Sequence, residues 1–276
     1  MAVGGGRAGD RGGDLREGIG VLAEDKVPGG EPHAVVTGLV LEPSLVAGVR
    51  LEQPLWSPNA DEFWDWTEKY IVEYAKMSAE NRHLMGVFLD YENYAPGRTG
   101  NLYSLSYDDV ILRKFAGARG LDLPELDGAA RKPWLDEQGL HEAFEAFQVA
   151  HWRERCRHLR QRVDEHDPTF QFCIYPAPGT PFMIQATYPE WATPRAPIIL
   201  ADASTYGRPA RYLPERESLE RNRQLLIERL QTAKDAAVPF IYAGGIDPVV
   251  RGADPEFCGK NAVAITSAFG VRARTT

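Results

Sequence analysis

The residues LMGVFLDY, numbers 84–91, are the segment that decides the fold. They form a short run in which apolar side chains follow one another without alternating with polar ones. Such a run is typical of a strand buried on both faces, as the strands of parallel sheets are. We therefore predict a strand here, and the acidic and aromatic residues Asp90-Tyr91-Glu92 mark its carboxyl end.

Similar runs recur along the chain, and longer amphipathic stretches separate them. The other predicted strands are His33–Leu41, Thr169–Tyr175, Pro197–Asp202 and Val238–Ala243, with a weaker one at Leu45–Leu51. The predicted helices are Ala60–Ser78, Ser106–Gly117, Asp136–Glu165, Glu215–Ala236 and Pro255–Phe269. The second helix opens with Ser106 and Asp109 at capping-box spacing. Alternation of strands with helices predicts an α/β fold with a parallel sheet.

Polar and aromatic residues follow several of the predicted strands, whereas no G-x-G-x-x-G motif does. Side chains of this kind at strand carboxyl ends are how (β/α)8, or TIM-barrel, enzymes build their sites. The strand count falls short of the eight in a closed barrel. We therefore expect a TIM-barrel-like domain over residues 31–276, incomplete at one or both ends, after a disordered Gly-rich segment at residues 1–30.

Composition excludes several classes of protein. The 276 residues are 43% hydrophobic and carry a net charge of -8 at pH 7, so they lack the basic excess of a nucleic-acid binder. No stretch is long and apolar enough for a membrane span, and no secretory signal is visible, so we expect a soluble protein. The three cysteines form no C-x-x-C pair, and we expect neither a metal nor another cofactor.

Asp90 and Glu92 are the sharpest chemical feature of the sequence. Side chains two residues apart on a strand share a face, so these two carboxylates should project together. Neighbouring carboxylates cannot both ionise cheaply, and the one with the raised pKa can serve as a general acid. The alternative is that both carboxylates cap loops or pair with Arg98 or Arg113.

This motif resembles that of glycoside-hydrolase barrels, and most nearly the family-18 chitinase-like enzymes, whose fourth strand ends D-G-x-D-x-D-x-E. Gly86, Asp90 and Glu92 match the motif, whereas Met85 and Phe88 replace its first two Asp residues. The resemblance implies that Glu92 protonates the glycosidic oxygen. It also implies that Asp90 orients the acetamido group of the substrate, which serves as the nucleophile. The family-25 lysozymes have a similar D-x-E strand end.

A second route needs no acetamido group. Asp202 or Asp247, each at the end of another predicted strand, would act as nucleophile or base opposite Glu92. Asp202 also matches the last residue of the M-x-Y-D motif on the family's sixth strand, but Ile199 and Ala201 replace its Met and Tyr. These departures favour the second route. Turn or capping roles are the alternative for both aspartates.

Aromatic side chains near the strand ends are suited to stacking on sugars. The candidate substrate-binding residues are Tyr94, Tyr175, Tyr206, Tyr242 and Trp191, together with Asp247. An anionic substrate would call for more Arg and Lys beside them, so we expect a carbohydrate. The sequence thus predicts a glycoside-hydrolase-like protein that uses Glu92, Asp90 and Asp202. The alternatives are a barrel or fragment that binds sugar without cleaving it, and a barrel enzyme that uses Glu92 to abstract a proton.

Overall fold

The computed structural model describes residues 41–46, 49–90, 105–210, 212–248 and 251–268. The strands are β1 (Leu41–Val46), β2 (Val49–Trp56), β3 (Gly86–Asp90), β4 (Gln171–Tyr175), β5 (Ile198–Tyr206) and β6 (Phe240–Asp247). The helices are α1 (Asp61–Glu80), α2 (Asp109–Arg119), α3 (Arg131–Glu137), α4 (His141–Asp164), α5 (Pro181–Ala186), α6 (Tyr188–Trp191), α7 (Glu215–Asp235) and α8 (Pro255–Ala268). None of these helices is long and apolar enough to cross a membrane.

The strands β3 to β6 form a four-stranded parallel sheet in sequential order. One row across it joins Phe88, Cys173, Ile199 and Ile241 as register partners. The helices α4, α5 with α6, and α7 lie between successive strands along the chain. The predicted α/β class with a parallel sheet is therefore confirmed.

The prediction of a single strand over Leu45–Leu51 is wrong. This region contributes to two strands, β1 and β2, which pair with each other in an antiparallel hairpin outside the parallel sheet. Two residues separate Val46 from Val49. A connection that short can join only antiparallel strands, because parallel strands need a crossover. The Gly-rich segment at residues 1–30, and the strand predicted at His33–Leu41 apart from Leu41, lie outside the described residues.

Two of the differences between the predicted and the observed helices have a local cause. The helix α2 begins at Asp109 because the carboxylate of Asp108 caps it, accepting a hydrogen bond from the Ile111 amide at 3.0 Å. The Ser106 hydroxyl instead donates to Asp108 at 2.7 Å. The helix predicted from Asp136 is divided into α3 and α4, because Gly139 takes a left-handed backbone conformation (φ +64°) that ends a helix.

The helices bury one face of the sheet. Alternate residues of the strands, such as Leu89, Phe172 and Leu200, point into a core that they share with α1 and α4 to α7. Trp191 stacks on Phe172 with ring centroids 4.6 Å apart, and its indole N–H donates to the Cys156 carbonyl. The sheet is thus fixed against the helices by aromatic contacts on one side.

The opposite face of the sheet carries the intervening residues, and several of them are exposed. Phe88 is 37% exposed and Ile241 is 47% exposed, whereas Leu89, the neighbour of Phe88 on the helix-covered face, is 2% exposed. We call this second surface the open face. It is a row of apolar side chains that no described helix covers.

Gly86 allows β3 and β4 to approach closely. A Cβ at this position would lie 1.9 Å from the carbonyl oxygen of Gln171, which is its register partner in β4. Substitution must therefore move backbone rather than a flexible side chain. This steric requirement accounts for glycine at a position that the sequence resemblance also singles out.

We expect Gly86→Ala to lower the free energy of unfolding by about 1–3 kcal/mol or more, because strand pairing must be displaced. The matched control is Gly117→Ala in α2, where a Cβ meets nothing within 4 Å. That change should raise stability by about 0.4–1 kcal/mol. Urea denaturation of both variants measures the difference, and equal effects would contradict this account of Gly86.

Candidate active site at the carboxyl ends of the strands

The carboxyl ends of the four parallel strands lie along one edge of the sheet. Asp90 is the register partner of Tyr175, and Asp202 is the partner of Gly244. The predicted site residues on β3, β4, β5 and β6 are therefore gathered at a common edge. Which face of the sheet each side chain occupies then decides which of them can act together.

Asp90 and Tyr175 lie on the open face. Asp90 follows Phe88 by two residues on β3, and Tyr175 follows Cys173 by two residues on β4, so each pair lies on one face. The ring of Phe88 stacks on that of Tyr175 with centroids 5.8 Å apart and planes inclined by 28°. A carboxylate thus stands beside a partly exposed aromatic surface, which is an arrangement suited to holding a sugar ring.

Cys173 lies in the same row but is not a nucleophile at neutral pH. Burial raises the pKa of its thiol to about 11, so the thiol stays protonated.

Glu92 and Tyr94 fall in residues 91–104, outside the described part of the chain.

Asp202 faces the helices, on the opposite side of the sheet from Asp90, and it is 1% exposed. Its Oδ2 accepts a hydrogen bond from the hydroxyl of Tyr242 at 2.5 Å, and its Oδ1 lies 3.6 Å from Nη1 of Arg229. A buried carboxylate requires such partners because an unpaired one would be very costly. This placement does not support the expectation that Asp202 acts as a catalytic carboxylate together with Asp90.

Tyr242, which we predicted to bind substrate, instead donates its hydroxyl hydrogen bond to the buried carboxylate of Asp202. Burial raises the pKa of its hydroxyl well above the usual value, and the hydrogen bond to Asp202 raises that pKa further. Burial and the charge of Asp202 likewise raise the pKa of Tyr188. Both hydroxyls are therefore neutral donors, and that of Tyr188 donates to the Pro178 carbonyl.

The loop after β4 is tied to the same cluster. Nη1 of Arg229 donates to the Ala177 carbonyl at 2.9 Å, and the Ala177 amide donates to the Ala201 carbonyl at 2.9 Å. This loop contains two cis peptide bonds, Tyr175-Pro176 and Ala177-Pro178. The two hydrogen bonds of Ala177 thus connect the loop to α7 and to β5 around Asp202.

Sequence reasoning missed Arg229 and Tyr188, although a signal for Arg229 was present. Leu226, Arg229 and Ala233 recur at helical spacing on one side of α7, and both apolar members are fully buried. A charged residue within a buried stripe indicates a buried partner of opposite charge. Tyr188 carries no comparable signal, because it begins the short helix α6 that periodicity does not reveal.

The remaining candidates lie in different surroundings. Trp191 is 1% exposed and belongs to the core, so its ring offers no surface to a ligand. Tyr206 is 47% exposed and is the register partner of Asp247 at the ends of β5 and β6. The described residues hold no group of three or more His, Cys, Asp or Glu side chains placed to bind a metal ion.

Comparison with known proteins finds no family model that matches the chain, no similar curated protein and no similar solved structure.

Removing the hydroxyl of Tyr242 should reveal its linkage to pH. Below the ordinary tyrosine pKa of about 10, the hydroxyl is protonated in both the folded and the unfolded protein. Above that pH it ionises only in the unfolded protein, so the free energy of unfolding falls as pH rises. Tyr242→Phe should cost about 1–3 kcal/mol at neutral pH because Asp202 loses its donor. Above pH 10 the stability of this variant should fall less steeply than that of the wild type.

Chemical denaturation across the alkaline range measures both effects. Tyr212→Phe is the matched control, because the side chain of Tyr212 is 93% exposed, and it should follow the wild type. A Tyr242→Phe profile parallel to the wild type would show that this hydroxyl is not held protonated by the fold.

Proposed function

We propose that this protein is a glycoside hydrolase that cleaves a glycan by carboxylate catalysis, with Glu92 as the acid and Asp90 as its helper. The observation that carries the proposal is the position of Asp90 at the carboxyl end of β3, on the open face and beside the stacked rings of Phe88 and Tyr175. Such a surface suits a sugar ring, which presents an apolar face and a rim of hydroxyls.

The proposal includes a TIM-barrel-like architecture. The described strands follow one another in sequential order, whereas a doubly wound sheet reverses its order at a switch point. Parallel sheets occur almost only with both faces covered. The apolar row on the open face, with Phe88, Ile199 and Ile241, is the type of layer that fills the inside of a barrel.

The burial of Asp202 makes it a poor nucleophile or base for the second catalytic route. Two carboxylates that flank a glycosidic bond are about 5–9.5 Å apart and face a common cleft. Asp202 faces the helices and is bound by Tyr242, so it is poorly placed to flank a bond beside Asp90. We therefore prefer the route in which the acetamido group of the substrate is the nucleophile, and Asp247 at the end of β6 stays the candidate nucleophile or base of the second route.

In this mechanism each carboxylate has one task. Glu92 donates its proton to the glycosidic oxygen as the bond to the leaving group breaks. Asp90 accepts a hydrogen bond from the acetamido N–H and orients the carbonyl oxygen that attacks the anomeric carbon. The period of two along a strand predicts that Glu92 shares the face of Asp90. Asp202 contributes by fixing β5 to α7 and the loop after β4.

Hydrolysis of matched aryl N-acetylhexosaminides and aryl hexosides tests the proposal. The wild type should cleave only the N-acetylated substrates. Glu92→Gln should lower kcat by about 10²–10⁴-fold, because general acid catalysis is typically worth that much. Asp90→Asn should also lower kcat. Circular dichroism of each variant should match the wild type.

The matched control is Asp235→Asn, which removes a carboxylate at the last residue of α7, near the amino ends of the strands. It should leave kcat unchanged. Equal turnover of hexosides, or full turnover by Glu92→Gln, would contradict the mechanism. Saturable sugar binding without any turnover would contradict the enzyme proposal and favour the alternative of a barrel that binds sugar without cleaving it.

A further inference from the structure

A pocket of about 250 Å³ lies between the end of β5 and the helix α7. Its lining includes Tyr206, Arg208, Arg221, Asn222 and Leu225. The volume is below the roughly 300–1,000 Å³ of sites for drug-sized ligands. A single sugar unit or a group of similar size is therefore the appropriate occupant.

Two arginines, both exposed, belong to the lining of this pocket. Among the described residues, neither Arg208 nor Arg221 forms an ion pair, and no acidic side chain belongs to the lining. In α7, which contains Arg221, Arg223 pairs with Glu220 at 3.0 Å and Arg229 lies 3.6 Å from Asp202, whereas Arg216 forms no ion pair with a described residue. The pocket thus brings two positive charges together in a protein of net charge -8.

Guanidinium groups recognise planar or tetrahedral oxyanions through paired hydrogen bonds. The neutral residues of the lining fit the remainder of a sugar. Tyr206 offers a half-exposed ring. The amide nitrogen of Asn222 donates to Asn261 at 3.1 Å, which leaves the carbonyl oxygen of Asn222 to accept from a hydroxyl.

We propose that this pocket binds one acidic sugar unit, whose carboxylate or sulfate pairs with Arg208 and Arg221 and whose ring lies on Tyr206. This inference rests on the proposed action on a glycan and names that glycan as acidic, in contrast to the carbohydrate without anionic groups that the sequence led us to expect. The lining residue Tyr206 lies on β5, two strands from β3 and five residues beyond Ala201, which is level with Asp90, so roughly 20 Å separates the pocket from Asp90. The pocket therefore serves as a subsite separate from the reacting sugar.

Isothermal titration with glucuronate, glucose 6-sulfate, glucose and inorganic sulfate tests the proposal. Glucuronate or glucose 6-sulfate should bind about tenfold or more tightly than glucose. Arg208→Ala and Arg221→Ala should each weaken that binding by about tenfold or more. The matched control is Arg216→Ala, an exposed arginine of α7 outside the lining, which should change the affinity by less than about twofold.

Two results would overturn the assignment. Equal affinity for glucuronate, glucose 6-sulfate and glucose would show that the pocket does not select sugars with an acidic group. Inorganic sulfate binding as tightly as both acidic sugars, with Tyr206→Ala without effect on them, would make the pocket a site for a free anion. Glu92→Gln should retain the binding of acidic sugars, so loss of hydrolysis and loss of this pocket are measured separately.

Discussion

Trp191 stacks on Phe172 at 4.6 Å, and this contact belongs to the core that holds the helices against one face of the parallel sheet. Because successive side chains of a strand point to opposite faces, burial of one face assigns every strand residue to the core or to the open face. Asp90 falls on the open face and Asp202 in the core, although both stand at the same edge. The chemistry available to each carboxylate follows from that difference.

The buried side tolerates a charge only because a polar cluster surrounds it. Tyr242 donates to Asp202, and Arg229 approaches the other carboxylate oxygen while it also binds the Ala177 carbonyl. This cluster joins a strand, a helix and a loop that are distant in sequence. Such a network fixes the edge of the sheet on which the proposed site depends, and it explains why an acidic residue at a strand end need not be catalytic.

Much of the fold could be predicted from the sequence, because continuous apolar runs and helical periodicity are local signals. The strands β3 to β6 and the helices α1, α4, α7 and α8 all lie where those patterns place them, apart from their exact ends. The hairpin of β1 and β2 was missed because only two residues separate its strands, so both fell within one apolar run. The break at Gly139 was missed because the left-handed backbone of one glycine interrupts a pattern that is otherwise helical. The short helices α5 and α6 are below the length that periodicity can reveal.

The sequence by itself determined the α/β class, the parallel sheet and the acidic residues at the strand ends, since each depends on neighbouring residues. Only the tertiary structure decided which of those residues share a surface. Burial of Asp202 depends on α7, which supplies Arg229 27 residues later, and on the ring of Tyr242 in the next strand. Likewise Arg208 and Arg221 become one pocket only when α7 packs beside β5, because contacts between distant segments leave no periodic signal in the chain.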